Sequence, residues 1–424
     1  MTSTNVNQPT GSGRMWLPSR FGANYARLWT ATMVSTLGDG LRLTALPLLA
    51  SRITQNPMAI AGIWLASGLP WLLFSLLGGA VVDRLDRRRL MVRVQIVRGA
   101  VVGAFTIYAL ASTPPIPFMY ALLFILTTCD VVFSSAAPSM LPRLVPGNLL
   151  ASANSRLFGG QITAKEIAGP PLGSFLLTLA IAAPFAADSV SYLAGAILLS
   201  SLSGDFRPDE DARAAGTVWR SAIDGLSWVW HDSFVRTIIL GFGVANVMRS
   251  MTISIFVLYA LRVLHITGIG YGVLLTATAI GALAGSLSVG RLRRLVADPE
   301  LVVGAMLLLG LVTILLAVTS SAYLAGLANA LFGFGSMVWN VVGVSAQQKA
   351  IPDAMMGRVM AVDSLVTWGA IPVGSLLGGL LASSFGLRVP ILAGGLLTVG
   401  TVLAIGRTLR RSMQDLPADP KEQP

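Results

Sequence analysis

An all-α membrane protein with twelve transmembrane helices in two six-helix halves is predicted by three observations. The 424-residue chain is 54% hydrophobic and only 12% charged, with a mean hydropathy of +0.73. A soluble domain carries about 25% charged residues. The apolar residues gather into twelve runs, most of them near the roughly 20 residues that a helix needs to cross a bilayer. The longest polar break, Ser203 to Asp232, follows the sixth run and marks the divide between the halves.

The runs cover 25–49, 59–82, 90–111, 118–138, 154–181, 184–203, 236–260, 268–290, 300–319, 321–345, 354–384 and 388–408. They are continuous, whereas barrel strands alternate over about ten residues, so helices satisfy the backbone in lipid. The expected organisation is a polar segment 1–24, a first half 25–203, a linker 204–235, a second half 236–408 and a solvated tail 409–424. Segment 1–24 has no apolar signal core, so no cleavage is expected. Arginine and lysine crowd the termini and one set of loops, as at Arg84 to Arg93 and Arg291 to Arg294. The opposite loops carry only Arg52, Arg262 and Arg388. By the positive-inside rule both termini are cytoplasmic, in a multi-pass protein of the cell (inner) membrane. Within the linker, Trp219 to Trp230 has helical apolar spacing. It reads as an amphipathic helix on the inner leaflet or as a partner-docking helix.

The halves repeat weakly. Arg84-Leu85 aligns with Arg291-Leu292, and Arg87 with Arg294, but Asp83 and Asp86 fall on Gly290 and Arg293. Pro171-Leu-Gly-Ser174 aligns with Pro372-Val-Gly-Ser375. Two such repeats with a site at their midplane interface is a transporter architecture. One cysteine, Cys129, and two distant histidines, His231 and His265, argue against a disulfide framework or metal centre. The net charge of +11 sits in short loops rather than in a nucleic-acid face. No Gly-x-x-x-x-Gly-Lys-Ser/Thr loop is present, so ATP is not the direct energy source.

Between the second and third runs lies Gly79-Ala-Val-Val-Asp83-Arg84-Leu85-Asp86-Arg87-Arg88-Arg89-Leu90. It resembles the signature loop G-x-x-x-D-R-x-G-R-R of the major facilitator superfamily at Gly79, Asp83, Arg84, Arg87 and Arg88. It departs at Asp86, where that pattern has glycine. The form is similar to the branch holding enterobactin exporters and macrolide efflux proteins. The resemblance covers about 25–408 and implies the major facilitator fold. It also implies a conformational lock in which Asp83 caps a helix start near Gly357-Arg358. A second element, Gly169-Pro170-Pro171-Leu172-Gly173-Ser174, resembles the G-P-x-x-G-G motif of proton-coupled antiporters. Ser174 replaces its last glycine, and Lys165 stands where a further glycine is expected. Plain helix packing through small residues is the competing reading. The family's helix-4 arginine motif is not visible; Asp130 occupies that region.

An ionisable residue at bilayer depth is costly and normally faces a partner or water. Within the runs these are Asp39, Arg42, Arg98, Asp130, Lys165, Glu166, Asp188, Arg249 and Asp363. Asp39 and Arg42 are three apart, hence on one helical face and expected to pair. The glycines flanking Asp39 are expected to leave room for water or substrate. The register that lays Arg52 on Arg262 lays Asp39 on Arg249, so both are expected to face one cavity. Asp39 is either a proton carrier or one member of a permanent pair with Arg42. Glu166 and Asp130 are the next candidate carriers, Asp188 reads as a solvated or capping acid, and Asp363 reads as structural. Trp64, Trp71, Trp339 and Trp368 line a cavity or face lipid; the sequence leaves both open.

The expected function is proton-coupled efflux of a small organic molecule, such as a drug, siderophore or secondary metabolite. It would act as a monomer with no cofactor beyond the proton gradient, and with no nucleic acid. An importer or lipid translocator on the same fold is the alternative, because fold fixes neither substrate nor direction. A non-transporting sensor is more distant. An enzyme is not expected, because no cluster of His, Cys or acids lies at one face.

Overall fold

A computed structural model describes residues 21–82, 85–204, 206 and 226–414. It is helical throughout, with no strand among the described residues. The helices are α1 (Ala23–Ile53), α2 (Pro57–Val82), α3 (Arg87–Ala111), α4 (Ile116–Leu144), α5 (Leu150–Ile162), α6 (Gly169–Leu179) and α7 (Ala183–Ser200). After the linker come α8 (Ser233–Arg262), α9 (Gly268–Leu295), α10 (Asp298–Val318), α11 (Ala322–Ala350), α12 (Asp353–Phe385) and α13 (Arg388–Gln414). Ten of these are long and apolar enough to cross a membrane. α1 falls short because Arg27, Asp39, Arg42 and Arg52 lower its hydropathy.

The run 154–181 is not one uninterrupted α-helix. A π-helical turn, Thr163–Ala168, joins α5 to α6. Pro170 and Pro171 follow it, and each lacks the N–H that would bond back into the preceding turn. The carbonyl of Ile167 instead accepts from Thr276 Oγ1 of α9 at 3.1 Å. The proline pair thus opens the helix, and a neighbour satisfies the freed acceptor. Side-chain caps fix other helix starts. Asp232 accepts from Val235 N at 2.9 Å and Asp86 from Arg89 N at 3.0 Å. A carboxylate at an N-cap satisfies an orphan N–H and suits the positive helix end. That gives Asp86, the residue departing from the family pattern, a local role.

The apolar core is organised by depth. At the arginine-poor end, one continuous cluster joins Leu46 and Leu49 of α1, Ile60 of α2, Phe105 of α3, Tyr259 of α8, Tyr271 of α9 and Ala382 of α12. At the arginine-rich end the core splits. One pair of clusters draws only on residues up to Phe206. The other pair draws only on residues from Trp228 onward. Contacts between helices before and after the linker follow the same rule. Trp71 of α2 stacks on Trp368 of α12, with ring centroids 4.4 Å apart and planes 12° apart. Gly68 faces Pro372, Gly379 faces Ala61 and Met58, and Gly272 faces Pro170 and Ser174. Among the described residues, helices from before and after the linker therefore share one apolar core at the arginine-poor end and hold separate cores at the other.

The expected alignment of Gly173 with Gly374 shifts by one helical turn. Gly169 and Gly173 of α6 lie against the main chain of Gly40 and Leu41 in α1. The matching contacts are made by Gly374 and Gly378 of α12, against Val247 and Met251 of α8. The contact-based correspondence of Leu41 with Met251 keeps the register that pairs Asp39 with Arg249. Of the linker helix 219–230, all but its end lies outside the described residues. Residues 226–231 are helical, with Trp230 62% exposed and Trp228 packed against Val235 and Val359.

The closest helix approach is between α9 and α11. A Cβ at Gly333 would collide with the Thr278 carbonyl and crowd Ala282 N. Backbones can approach this far only where side chains are absent. Gly333→Leu is expected to force the pair apart at a cost of about 1–3 kcal/mol or more. Gly304→Leu, which points into open space, is the control. Thermal unfolding in detergent checks this, and equal midpoints for the two variants would contradict the packing account.

Candidate functional site

The site is built on the middle of α1. Asp39 and Arg42 project from one face, and Arg42 Nη2 meets Asp39 Oδ1 at 2.6 Å. Arg42 is buried, and its Nε donates to Asp188 Oδ2 of α7 at 2.9 Å. Tyr192, one turn beyond Asp188, donates its hydroxyl to Asp39 Oδ1 at 2.5 Å and accepts from Arg42 Nη2 at 3.0 Å. A guanidinium presents several donors in a fixed plane, so it can hold two carboxylates at once. A strongly basic, always charged group at this depth needs such partners.

Asp188 corrects the expectation of a solvated or capping acid. It is completely buried. α7 is short, at 18 residues, so its second turn already lies level with Gly38 in the middle of α1. The glycines flanking Asp39 do not leave room for water or substrate. A Cβ on Gly38 would strike Ser191 and Asp188, and one on Gly40 would strike Lys165 and Gly169. They are closed contacts that let α1 lie against α7 and the π-helical turn. Gly169 and Gly173 are likewise buried against α1, and Pro170 is buried beside Gly272 of α9, the packing role that competed with the antiporter reading.

A second buried pair lies beside the first. Arg98 of α3 is 3% exposed and hydrogen-bonds Asp130 of α4. Its guanidinium carbon lies 5.0 Å from the Phe133 ring centroid and 5.5 Å from that of Tyr192. Cation–π contact of this kind helps to hold a desolvated arginine. Asp130, with a side chain 30% exposed, is the more accessible partner. On the same face of α3, Gln95 Nε2 donates to Ser35 Oγ of α1 at 2.5 Å.

Lys165 and Glu166 sit on the π-helical turn and point apart. Lys165 lies within electrostatic range of Asp39, and Glu166 within that of Arg249 of α8. Glu166 and Arg249 are both exposed. Asp39, Arg42, Asp130, Lys165 and Arg98 thus form one neighbourhood, and Glu166 with Arg249 a second that joins helices from before and after the linker. Asp363 stands apart on α12, half-buried, and its Oδ1 makes no hydrogen bond. Trp339 packs on Phe242 at 4.6 Å inside the second core, while Trp71 and Trp368 form the bridging stack.

Asp83 and Arg84 of the signature loop lie outside the described residues, and so does the contact expected between Asp83 and the region of Arg358. Gly79 lies in the last turns of α2. Arg87 begins α3, and its N–H bonds the Phe206 carbonyl at 3.3 Å. Arg88 hydrogen-bonds the Ser200 carbonyl, which ties α3 to the end of α7. Arg358 lies in the first turns of α12, 3.9 Å from Met355 Sδ. Among the described residues, no group of three or more His, Cys, Asp or Glu is placed to hold a metal.

Sequence reasoning missed Tyr192, Gln95 and the true place of Asp188. Two signals were present: Asp188 and Tyr192 are four apart, and Gln95 and Arg98 three apart. Each pair therefore shares a face of an otherwise apolar helix.

The network predicts a stability coupling. Arg42→Gln strands the Asp188 carboxylate in the interior, and breaking a buried pair in this way costs about 3–5 kcal/mol. The double variant Arg42→Gln/Asp188→Asn removes the stranded charge and is expected to recover most of that loss in thermal unfolding. Equal destabilisation of the single and double variants would show that Asp188 does not depend on Arg42.

Comparison with known proteins places this geometry in a family. A family model described as transmembrane secretion effector matches residues 15–423. The chain is 26% identical over 380 residues to the multidrug efflux pump Tap of Mycolicibacterium fortuitum, covering 86% of this chain and 90% of that protein. It is 20% identical over 376 residues to macrolide efflux protein A of Streptococcus pyogenes, covering 88% and 92%. The crystal structure of the nucleoside transporter NupG superposes with a TM-score of 0.70 at 11% identity, covering 93% of this chain and all of that one. At that identity the likeness speaks for the fold alone. With a family match running almost from end to end, the chain belongs to the transmembrane secretion effector family of the major facilitator superfamily, as a multi-pass membrane transporter and not an enzyme.

Proposed function

We propose that this transporter exports a small organic molecule in exchange for protons, by alternating access between two six-helix halves. The observation that carries the reading is Arg42, buried mid-helix between the carboxylates of Asp39 and Asp188. Charge at this depth is expensive and is characteristic of proton relays in transporters. One guanidinium with two acids can change partners as the helices move. The efflux names of the relatives support the direction of transport.

In this reading α1 and the broken α5–α6 rod complete twelve passes with the ten apolar helices. The halves are 25–203 and 236–408, joined by the linker 204–235. Both termini, 1–24 and 409–424, face the cytoplasm, so the arginine-rich end with its separate cores is inward. Substrate then enters from inside between the two sets of helices, beside Glu166 and Arg249. The Trp71–Trp368 stack is part of the outer closure and must part before release. The loop with Gly79, Asp83, Arg84, Arg87 and Arg88 closes the inner end near Arg358 in the opposite state. The protein works as a monomer in the lipid bilayer, with the proton gradient as its energy source and without nucleic acid.

Accumulation of erythromycin, tetracycline and ethidium in cells lacking their own pumps tests the export reading. Expression of the chain is expected to lower accumulation of at least one probe, and an uncoupler to abolish the difference. Export that persists with the uncoupler would overturn proton coupling. The orientation has its own test. Cysteines introduced at Pro115 and Arg262 are expected to react with an impermeant thiol reagent applied outside. Cysteines at Arg88 and Arg411 should react only after permeabilisation, and the reverse pattern would invert the topology.

A further inference from the structure

The two acids on Arg42 are not equivalent. Asp39 Oδ1 receives two hydrogen bonds, from Arg42 Nη2 and from the Tyr192 hydroxyl. Its side chain keeps 15% exposure, so water reaches it. That is an environment built for a carboxylate. Asp188 has one polar contact, from Arg42 Nε to Oδ2. Its Oδ1 is fully buried and has no hydrogen-bond partner. It sits against the bare Cα of Gly38, where even a methyl group would collide, so no water fits beside it on that side. A buried polar atom without a partner carries its full desolvation penalty, and the penalty is larger for a charged group.

We propose that Asp188 is the residue that takes up and releases the coupled proton, while Asp39 stays ionised and positions Arg42. This rests on the proton-exchange reading above and changes which acid does the work. The groups facing Asp188 are Arg42 and Asp39 from α1, Arg98 from α3 and Tyr192 from its own helix. Lys165 of the π-helical turn faces Asp39 rather than Asp188. The step is a simple proton transfer. A proton entering by the water-accessible Asp39 side passes to Asp188, converts its carboxylate to the neutral acid, and leaves Arg42 with Asp39 as its anion. Loss of the same proton restores the carboxylate and its bond to Arg42 Nε. The burial of Asp188 then has a purpose: neutral, it tolerates its single contact, and charged, it holds Arg42 and thereby α1 to α7.

Infrared difference spectra of the purified full-length protein, recorded across pH without substrate, test this directly. A protonated carboxyl has a C=O stretch that a carboxylate lacks. The chain holds 19 Asp and Glu residues, so each variant is read by subtraction from the wild type, which cancels the acids they share. Asp188→Asn is expected to remove a C=O band from the wild-type acidification spectrum, and Asp130→Asn to leave that band in place. Should Asp188→Asn fail to fold, Asp188→Glu decides, since it keeps an acid at this position but moves its stretch. A band lost in Asp188→Asn or moved in Asp188→Glu supports the assignment, and a band that neither variant changes overturns it. Proton flux in proteoliposomes, evoked by whichever probe the cells exclude, is the separate measure of the parent reading. A titrating Asp188 in a protein that moves no protons would sink the exchange reading and the coupling role with it, whereas proton flux with a band that Asp188 variants leave unchanged would sink only the choice of Asp188.

Discussion

The guanidinium of Arg42, gripped by carboxylates from its own helix and from α7, is the interaction on which the packing of α1 against α7 depends. It sits where lipid would otherwise exclude charge, so its partners must come from protein. Meeting that demand draws α7 close to α1, which in turn requires Gly38 at the crossing. The same closeness brings Tyr192 within reach of both Asp39 and Arg42. On the other side of α1, Gly40 meets Gly169 and the π-helical turn. Close packing thus lies on two faces of a single helix, with ion pairs on the α7 side and main-chain contact on the other.

The apolar contacts set where the molecule can move. A continuous core at the arginine-poor end joins helices from both sides of the linker, while separate cores at the opposite end keep each set rigid by itself. Packed interiors are bistable rather than continuously deformable, and the division between the cores falls between the helices before and after the linker. The π-helical turn lies between these regimes. It touches α1 on one side and α9 on the other, and the Ile167 carbonyl freed by Pro171 is bonded by Thr276 across the divide. A helix opened at that point can yield without leaving a backbone group bare.

Much of the site was legible by eye. The spacing of Asp39 and Arg42 announced their pairing, because residues three apart share a face. Charges such as Arg98 and Asp130 stood out against apolar runs. Other features were not legible. Asp188 looked peripheral because a span drawn from hydropathy gives no depth relative to its neighbours. Gly38 and Gly40 looked like open space, yet glycine marks close approach as often as vacancy. Gly173 was matched to Gly374 on a four-residue likeness, when contacts with α1 and α8 put the equivalence one turn further on.

By itself, then, the sequence determined the helical membrane architecture, because lipid leaves a backbone few alternatives and apolar runs of fixed length record that constraint. It also determined which side chains carry charge at depth. Only the tertiary structure decided how those charges are shared. Arg42 and Asp188 are 146 residues apart, and Arg98 and Asp130 are 32 apart. No periodicity within one helix encodes such a pairing, which depends on the relative depth and rotation of helices set by close small-residue contacts. The same contacts leave Asp39 well bonded and Asp188 with a bare oxygen, a difference invisible in two identical letters.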